Sequence, residues 1–473
     1  MQQPNVLFLL IDQLRAASLS LYGETRLETP HIDRLASQSL SLTNMISTCP
    51  VCTPYRAMLL TGRHPQSTSY VINSLRPHHG EISLGDAFSR AGYRTGWVGK
   101  WHLHTGGWPA NDVPDWVPKG RSRLGFDYWR AYNQHMVYFD GFINSSTEDW
   151  SYEQWEGYET EALNRYAFSF LDEVGNDPFC LFISPQPPHW TGGQWAPEHY
   201  YDRLPGTLPP PKNVPSENLH AWEKHARDYA AMILAVDEMV GEVMDYLDRT
   251  GKAEKTILVL TSDHGTMGAA QGEGFWAKKL PYEESLKVPF IIRMPGIKAG
   301  TNSDVLTAPV DLMPTLCSLC KVPIPQPVEG HDLSDAWLGK QDAFEQDSLF
   351  TMNFGATHDL FRDGNEWRGV RTKTHSYARW LDGKVVLYDL VADPLQQNNL
   401  ADDPKHADLL KEMEQRLIAF QRERGDNLQP CTDYMAWFDE FRRPIRNGYG
   451  ERPHPETDPD WNKLVPIDFC SKS

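Results

Sequence analysis

Residues 4–15 read PNVLFLLIDQLR, six consecutive apolar side chains running straight into Asp12 and Gln13. An unbroken run of that length suits a strand buried on both faces, as in a parallel sheet, and is too short to cross a membrane. Runs of the same kind occur at residues 93–98, 179–183, 257–261 and 288–292. Helical patterns separate them at residues 32–42, 84–91 and 226–251, the last ending on Gly251, which suits a C-terminal cap. Strands alternating with helices predict an α/β fold, with a mostly parallel central sheet flanked by helices.

Near residue 340 the pattern changes. Alternating residues flank Asp382-Gly383, a hairpin signal, and an amphipathic helix is expected at about 406–424. The reading is a large domain over residues 1–340 and a smaller α+β subdomain with an antiparallel sheet over 341–473. The stretch LPGTLPPPKNVP (204–215) reads as a surface loop. With 40% apolar and 11% aromatic residues the 473-residue chain is long enough to bury a large core. A formal charge of −18 argues against nucleic acid or an anionic membrane as partner, so an anionic substrate would need local cations. Seven cysteines make a complete disulfide framework unexpected. The start has no basic n-region, which as written suits a cytoplasmic protein; a leader removed beforehand would make it periplasmic or secreted.

Polar residues follow each strand. Asp12 and Gln13 follow the first, Lys100 and His102 the second, His189 the third, and Asp263 and His264 the fourth. In a parallel sheet these positions share the carboxyl edge, where open α/β folds bind ligands. Alone, each has a plainer reading: a cap, a packing histidine, a solvated charge. Together they form a candidate site. Asp12, Gln13, Asp263 and His264 are candidate metal ligands, oxygen donors suiting Ca²⁺ or Mg²⁺ and the imidazole favouring a more borderline ion such as Mn²⁺.

A second stretch, CPVCTPYRAMLLTGRHP (49–65), raises a different question. Pro54 suits a helix's first turn, so a helix should run from about Thr53 to Gly62, with Cys52 at its N-terminus and Arg56 one turn on. Three readings compete: a Cys49–Cys52 redox pair, a thiolate nucleophile favoured by the helix end, and a cysteine that is a precursor of something else. Cys317 and Cys320 lie on an apolar helix and read as core.

The stretch CTPYRAMLLTGR resembles the sulfatase signature. The resemblance continues in order through PNVLFLLIDQLR, TPHIDRLA, GYRTGWVGKWHL, PPHW, TSDHG, KKLPYEESLKVPFIIRMPG, VDLMPTL and LYDLVADPLQQNNLADDP. It implies an alkaline-phosphatase-like fold, a divalent cation with Ca²⁺ expected and Mn²⁺ or Mg²⁺ as alternatives, and oxidation of Cys52 to formylglycine by a maturation enzyme. The hydrated aldehyde would attack sulfur with one hydroxyl and expel sulfate with the second. Arg56 and Lys100 would hold the diol, and His102 would be the base that collapses it. His189 and Lys278, with Lys279 as the adjacent alternative, would bind sulfate and protonate the leaving oxygen.

CPVCTPYRA, GFDYWRAYNQH and the hairpin before LYDL look most like bacterial sulfatases acting on sulfated sugars, some of them exo-acting on galactose- or N-acetylgalactosamine-type residues. The substrate would then be a small sulfated saccharide, with Asn133 and His135 of YWRAYNQHMVYFDGF (128–142) as candidate binding residues. Arg371, Lys373 and His375 are further candidates, and a homo-oligomer is compatible with the sequence. Asp12-Gln13 and Asp263-His264 depart from the common Asp-Asp and Asp-Asn pairs. They also resemble phosphonate monoester and phosphodiester hydrolases of the same superfamily, which stand as the alternative beside a broad arylsulfatase. A non-catalytic sugar-binding protein is disfavoured by the intact Cys52/Pro54/Arg56 set.

Overall fold

A computed structural model describes residues 3–105, 116–145 and 152–465. The first apolar run forms β1 (Asn5–Ile11), which lies in a ten-stranded sheet. The sheet also contains β2 (Leu40–Leu42), β3 (Arg94–Lys100), β4 (Tyr128–Tyr132), β5 (Phe142–Ser145), β6 (Tyr152–Gln154), β7 (Phe179–Ser184), β8 (Thr256–Ser262), β9 (Phe290–Arg293) and β10 (Thr301–Ser303). Its spatial order is β10-β2-β9-β8-β1-β7-β3-β4-β5-β6. The central run β8-β1-β7-β3-β4 is parallel throughout.

The side-chain alternation of β1 explains why the run is unbroken. Val6, Phe8 and Leu10 enter the core on one face of the sheet, and Leu7, Leu9 and Ile11 enter the core on the other. Phe8 stacks on Phe182 at 4.7 Å, and Phe182 on Trp97 at 5.0 Å, tying β1, β7 and β3 together across one face. The opposite face carries the 31-residue helix Leu219–Arg249, followed by Gly251 at φ 66°.

Two expectations need correction. The helix expected over residues 32–42 ends at Ser37, and Leu40–Leu42 forms strand β2, parallel to β10 and antiparallel to β9. The periodicity ran across a helix–strand junction: Ile32 and Leu35 of the helix enter one core cluster, and Leu40 and Leu42 of the strand enter the other. The strand expected at 288–292 is β9, and it runs antiparallel to β8.

In the C-terminal part, strands Ser348–Asn353, Trp367–Thr372, His375–Trp380 and Val385–Asp389 form an antiparallel sheet, with Gly383 at φ 92° in the last hairpin. Helix Ala407–Glu423 packs on it through Met413 and Leu417. A buried ion pair fastens this part to the rest: Arg368 grips Asp426 at 2.8–2.9 Å, and Asp426 accepts from Gln66 Nε2 at 3.0 Å. The six cysteines among the described residues are all free and buried, Cys49 and Cys52 included, and Cys317 and Cys320 sit in core helix Pro309–Cys320. No described helix is long and apolar enough to cross a membrane.

Candidate active site

Because β8, β1, β7 and β3 are neighbours and parallel, their carboxyl ends meet at one place. Asp12 follows β1, Lys100 ends β3, Ser184 ends β7, and Asp263 follows β8; Asp12, Lys100, Ser184 and Asp263 are fully buried there. A second element points at the same spot. Helix α1 of the site (Cys52–Thr61) begins at Cys52 and stops at Gly62, whose φ of 64° only a residue tolerant of the left-handed region adopts easily.

Cys52 Sγ lies 3.1 Å from His264 Nε2, 3.3 Å from Lys278 Nζ, and 3.9 Å from both Asp12 Oδ1 and Lys100 Nζ. His264 Nε2 stands 3.7 Å from Asp12 Oδ1 and 3.6 Å from Asp263 Oδ1. His264 Nδ1–H donates to the Gly265 carbonyl at 2.9 Å, which fixes the tautomer and leaves the Nε2 lone pair facing the cluster. Donor atoms of Asp12, Cys52, Asp263 and His264 all lie within 4.8 Å of one another, so the group could hold a metal ion. Two carboxylates buried this close, with an oriented imidazole, are the donor set such an ion requires. Gln13 sits beside them: its main-chain N–H donates to Asp263 Oδ1 at 3.1 Å and its side-chain amide to the Trp276 carbonyl at 3.1 Å.

Three cations balance the carboxylates. Lys100 pairs with Asp12 Oδ2. Arg56 forks onto Asp263 Oδ2 at 3.1 and 3.2 Å, and its remaining nitrogen donates to the Lys100 carbonyl and Ser184 Oγ, both at 2.9 Å. Lys278 Nζ also lies 3.1 Å from His264 Nε2. Burial would raise Asp12, but Lys100 above all, then His189, Arg56 and His264, hold its carboxyl well below the usual range. Burial and the charge of Asp12 push Asp263 the other way. For Cys52, burial first and then Asp12 push the thiol up to about 11, against the opposing pull of Lys100 and Lys278. That corrects the thiolate reading: the helix end is outweighed by dehydration and a neighbouring carboxylate.

The lysine alternative is resolved by direction. Lys279 Nζ turns away to the Ala356 carbonyl. His102 is buried and neither ring nitrogen has a partner among the described residues; burial, then Lys100, pull its pKa well down, leaving it neutral. His189 donates from Nδ1 to the Trp190 carbonyl at 2.8 Å, so Nε2 is its free nitrogen, and burial likewise lowers its pKa.

Three non-glycine residues here hold left-handed backbone: Gln13 at φ 63°, His102 at 56° and Lys279 at 71°. Each is pinned. Gln13 is held by Asp263, His102 N–H donates to the Asn133 carbonyl at 2.9 Å, and the Lys279 carbonyl accepts from Trp367 Nε1 at 2.9 Å and Asn365 Nδ2 at 3.2 Å. Such conformations persist where the surroundings over-determine them, as around active sites.

Asn133 and His135 do not face the cluster as free groups. Asn133 clamps the loop carrying His102, accepting from His104 N–H at 3.0 Å and donating to the His104 carbonyl at 2.9 Å. His135 packs its ring at a 36° tilt against Tyr132, centroids 3.8 Å apart, donates to the Phe142 carbonyl at 3.1 Å and accepts from Val137 N–H at 3.3 Å; burial lowers its pKa to about 3. These hydrogen bonds of both side chains go to backbone groups of neighbouring loops. Arg371 is spent on Glu283 at 2.9 Å, Lys373 on Asp304 and Glu345 at 2.9 and 2.8 Å, and His375 meets Thr374 Oγ1 at 2.9 Å.

Two contributors were missed. Ser184 carried the same strand-end signal as Asp12. Asn73, whose Oδ1 accepts Thr53 N–H at 3.0 Å and caps the Cys52 helix, had no periodic signal at all.

Fold and site together define the class: an alkaline-phosphatase-like α/β hydrolase with Cys52 inside a metal-type donor cluster. The chain belongs to the sulfatase family, the sulfuric ester hydrolases: residues 4–322 match the family described as Sulfatase, and residues 272–423 that described as N-sulphoglucosamine sulphohydrolase, C-terminal. It is 34% identical over 448 residues to an ulvan-active sulfatase of Formosa agariphila, across 92% of this chain and 84% of that protein. An N-acetylglucosamine-6-O-sulfatase of Bacteroides thetaiotaomicron is 25% identical, across 94% of this chain and 91% of its own. A solved Bacteroides fragilis structure described as a sulfatase superposes with a TM-score of 0.80 at 28% identity, covering 91% of this chain and 97% of that one.

Proposed function

We propose that the protein hydrolyses sulfate esters of carbohydrates, with residue 52, matured from cysteine to formylglycine, as nucleophile. The observation that carries this is the position of Cys52: its side chain meets His264, Lys278, Lys100 and Asp12 within 3.1–3.9 Å at the carboxyl edge of the sheet. The matured residue supplies a hydrated aldehyde, one hydroxyl for attack at sulfur and one for release of sulfate. A divalent cation, Ca²⁺ by preference over Mn²⁺ or Mg²⁺, would be held by Asp12, Asp263, His264 and the residue-52 oxygen with Gln13 alongside, and supplies charge that draws in sulfate oxygens and acidifies the nucleophile.

The chain's own groups do the rest. Lys278, 3.3 Å from Sγ, binds a sulfate oxygen and, with His189, protonates the leaving oxygen. Lys100 holds the nucleophile while neutralising Asp12. His102, neutral and without a ring partner among the described residues, takes the proton when the sulfated intermediate collapses. Arg56 works at one remove: its donors are engaged by Asp263, Lys100 and Ser184, so it positions the Asp263 carboxylate.

The test is sulfate release from a panel of defined sulfated mono- and disaccharides, beside an aryl sulfate and a phosphonate monoester. Protein co-expressed with a formylglycine-generating enzyme is used, with residues 49–63 checked by mass spectrometry for the aldehyde. Sulfated sugars should be the best substrates; faster phosphonate cleavage would overturn the reading.

A further inference from the structure

His358 and Asp359 have no part in the chemistry above, yet they stand at its door. They lie between strands Ser348–Asn353 and Trp367–Thr372, so they come from the C-terminal part of the chain. The same asparagine that caps the Cys52 helix ties them down. Asn73 N–H donates to the His358 carbonyl at 2.7 Å, its Nδ2 reaches Asp359 Oδ1 at 3.5 Å, and its Oδ1 accepts from Thr53. A second tether runs from Lys279 Nζ to the Ala356 carbonyl, next in sequence to the lysine that reaches Cys52. One residue, Asn73, thus separates this loop from the first turn of the nucleophile's helix.

The two side chains pair with each other, His358 Nε2 to Asp359 Oδ2 at 2.9 Å, and stay 41% and 24% exposed, whereas the Asp12–Lys100 and Arg56–Asp263 pairs are wholly buried. They form a rim over a cationic floor, and the charge of Lys278 reaches both of them. His358 Nδ1 has no partner among the described residues, and the Asp359 carboxylate retains acceptor capacity beyond His358 and Asn73. A floor that attracts an anion beneath a rim that accepts hydrogen bonds fits one kind of ligand: a sulfate ester whose carbon skeleton carries free hydroxyl donors close to the ester.

We infer that His358 and Asp359 form a hydroxyl-recognition subsite that selects the saccharide, favouring a sugar with unsubstituted hydroxyls beside its sulfate and disfavouring one with a second anionic group there. The inference rests on the sulfatase reading and deepens it. The anionic half follows from Asp359, because a like charge brought to a fixed carboxylate is repelled.

The experiment compares kcat/KM of the wild type, Asp359→Asn and His358→Ala on the best sugar sulfate of the panel, on a doubly sulfated analogue, and on an aryl sulfate, whose ring has no hydroxyls. Losing a hydrogen bond to a charged group should lower the sugar-to-aryl ratio about 10–100-fold, with Asp359→Asn narrowing the gap between singly and doubly sulfated sugar. Equal losses on sugar and aryl substrates, or none on either, would overturn the inference. Thermal midpoints of the variants show whether a proportionate loss reflects a disturbed loop. A wild type that turns over aryl but no sugar sulfate also overturns it. Inactivity on every sulfate ester sinks the sulfatase reading itself.

Discussion

Replacing Lys278 by alanine tests the geometry of the site most directly. Its Nζ lies 3.3 Å from Cys52 Sγ, the atom whose place the proposed nucleophile takes. Two unit charges at that separation interact by about 5 kcal/mol at an effective dielectric of about 20. If roughly half a charge develops on the oxygens it touches, about 2.5 kcal/mol is lost, or about 10²-fold in rate, in the range of a single removed oxyanion donor. The control is Lys279→Asn read on an aryl sulfate, which does not depend on the His358–Asp359 loop that Lys279 Nζ tethers through the Ala356 carbonyl; asparagine tolerates the left-handed backbone at this position. Single-turnover sulfate release from protein of verified aldehyde content separates chemistry from maturation. Lys278→Ala should lose about 10²-fold and Lys279→Asn less than about threefold. A loss under tenfold at Lys278, or equal losses at both, would refute the assignment.

Other outcomes follow from the same contacts. Removing Arg56 strands the wholly buried Asp263 carboxylate, so Arg56→Met should destabilise by about 3–5 kcal/mol in denaturant unfolding while the double variant with Asp263→Asn recovers much of it; equal costs would show the pair is not coupled. Glu159 is buried, with Oε1 accepting from the Tyr132 hydroxyl and from Gln186 N–H at 2.8 Å and Oε2 without a partner among the described residues, and burial raises its pKa to about 8 against those bonds. The folded state therefore binds the extra proton at Glu159, so the stability difference between wild type and Glu159→Gln should shift against the wild type as pH rises between about 4.5 and 8. If Asp12, Asp263 and His264 hold a divalent cation, chelation should lower the thermal midpoint and Ca²⁺ should restore it, with about 2.7 kcal/mol gained at a hundredfold excess over Kd; Asp12→Asn should abolish the response.

The chain by itself determined the sheet's centre. The run at residues 6–11 is apolar at every position because β1 is buried on both faces, and the polar residues after it and its companions belong to one edge because parallel neighbours end together. Those are local consequences of backbone periodicity, so reading them required no knowledge of contacts. What a side chain does once placed was another matter. Lys278 and Lys279 are adjacent and chemically alike, and only the Trp367 and Asn365 bonds to the Lys279 carbonyl decide which one reaches Cys52. Asn133 and His135 read as candidates to reach a substrate, and the fold gives their side chains backbone partners; Asn73 caps the Cys52 helix and is itself met by a residue 285 positions downstream (His358 carbonyl, 2.7 Å). Direction and long-range contact depend on how the C-terminal part seats against the sheet, and that is a property of packing, which no local pattern encodes.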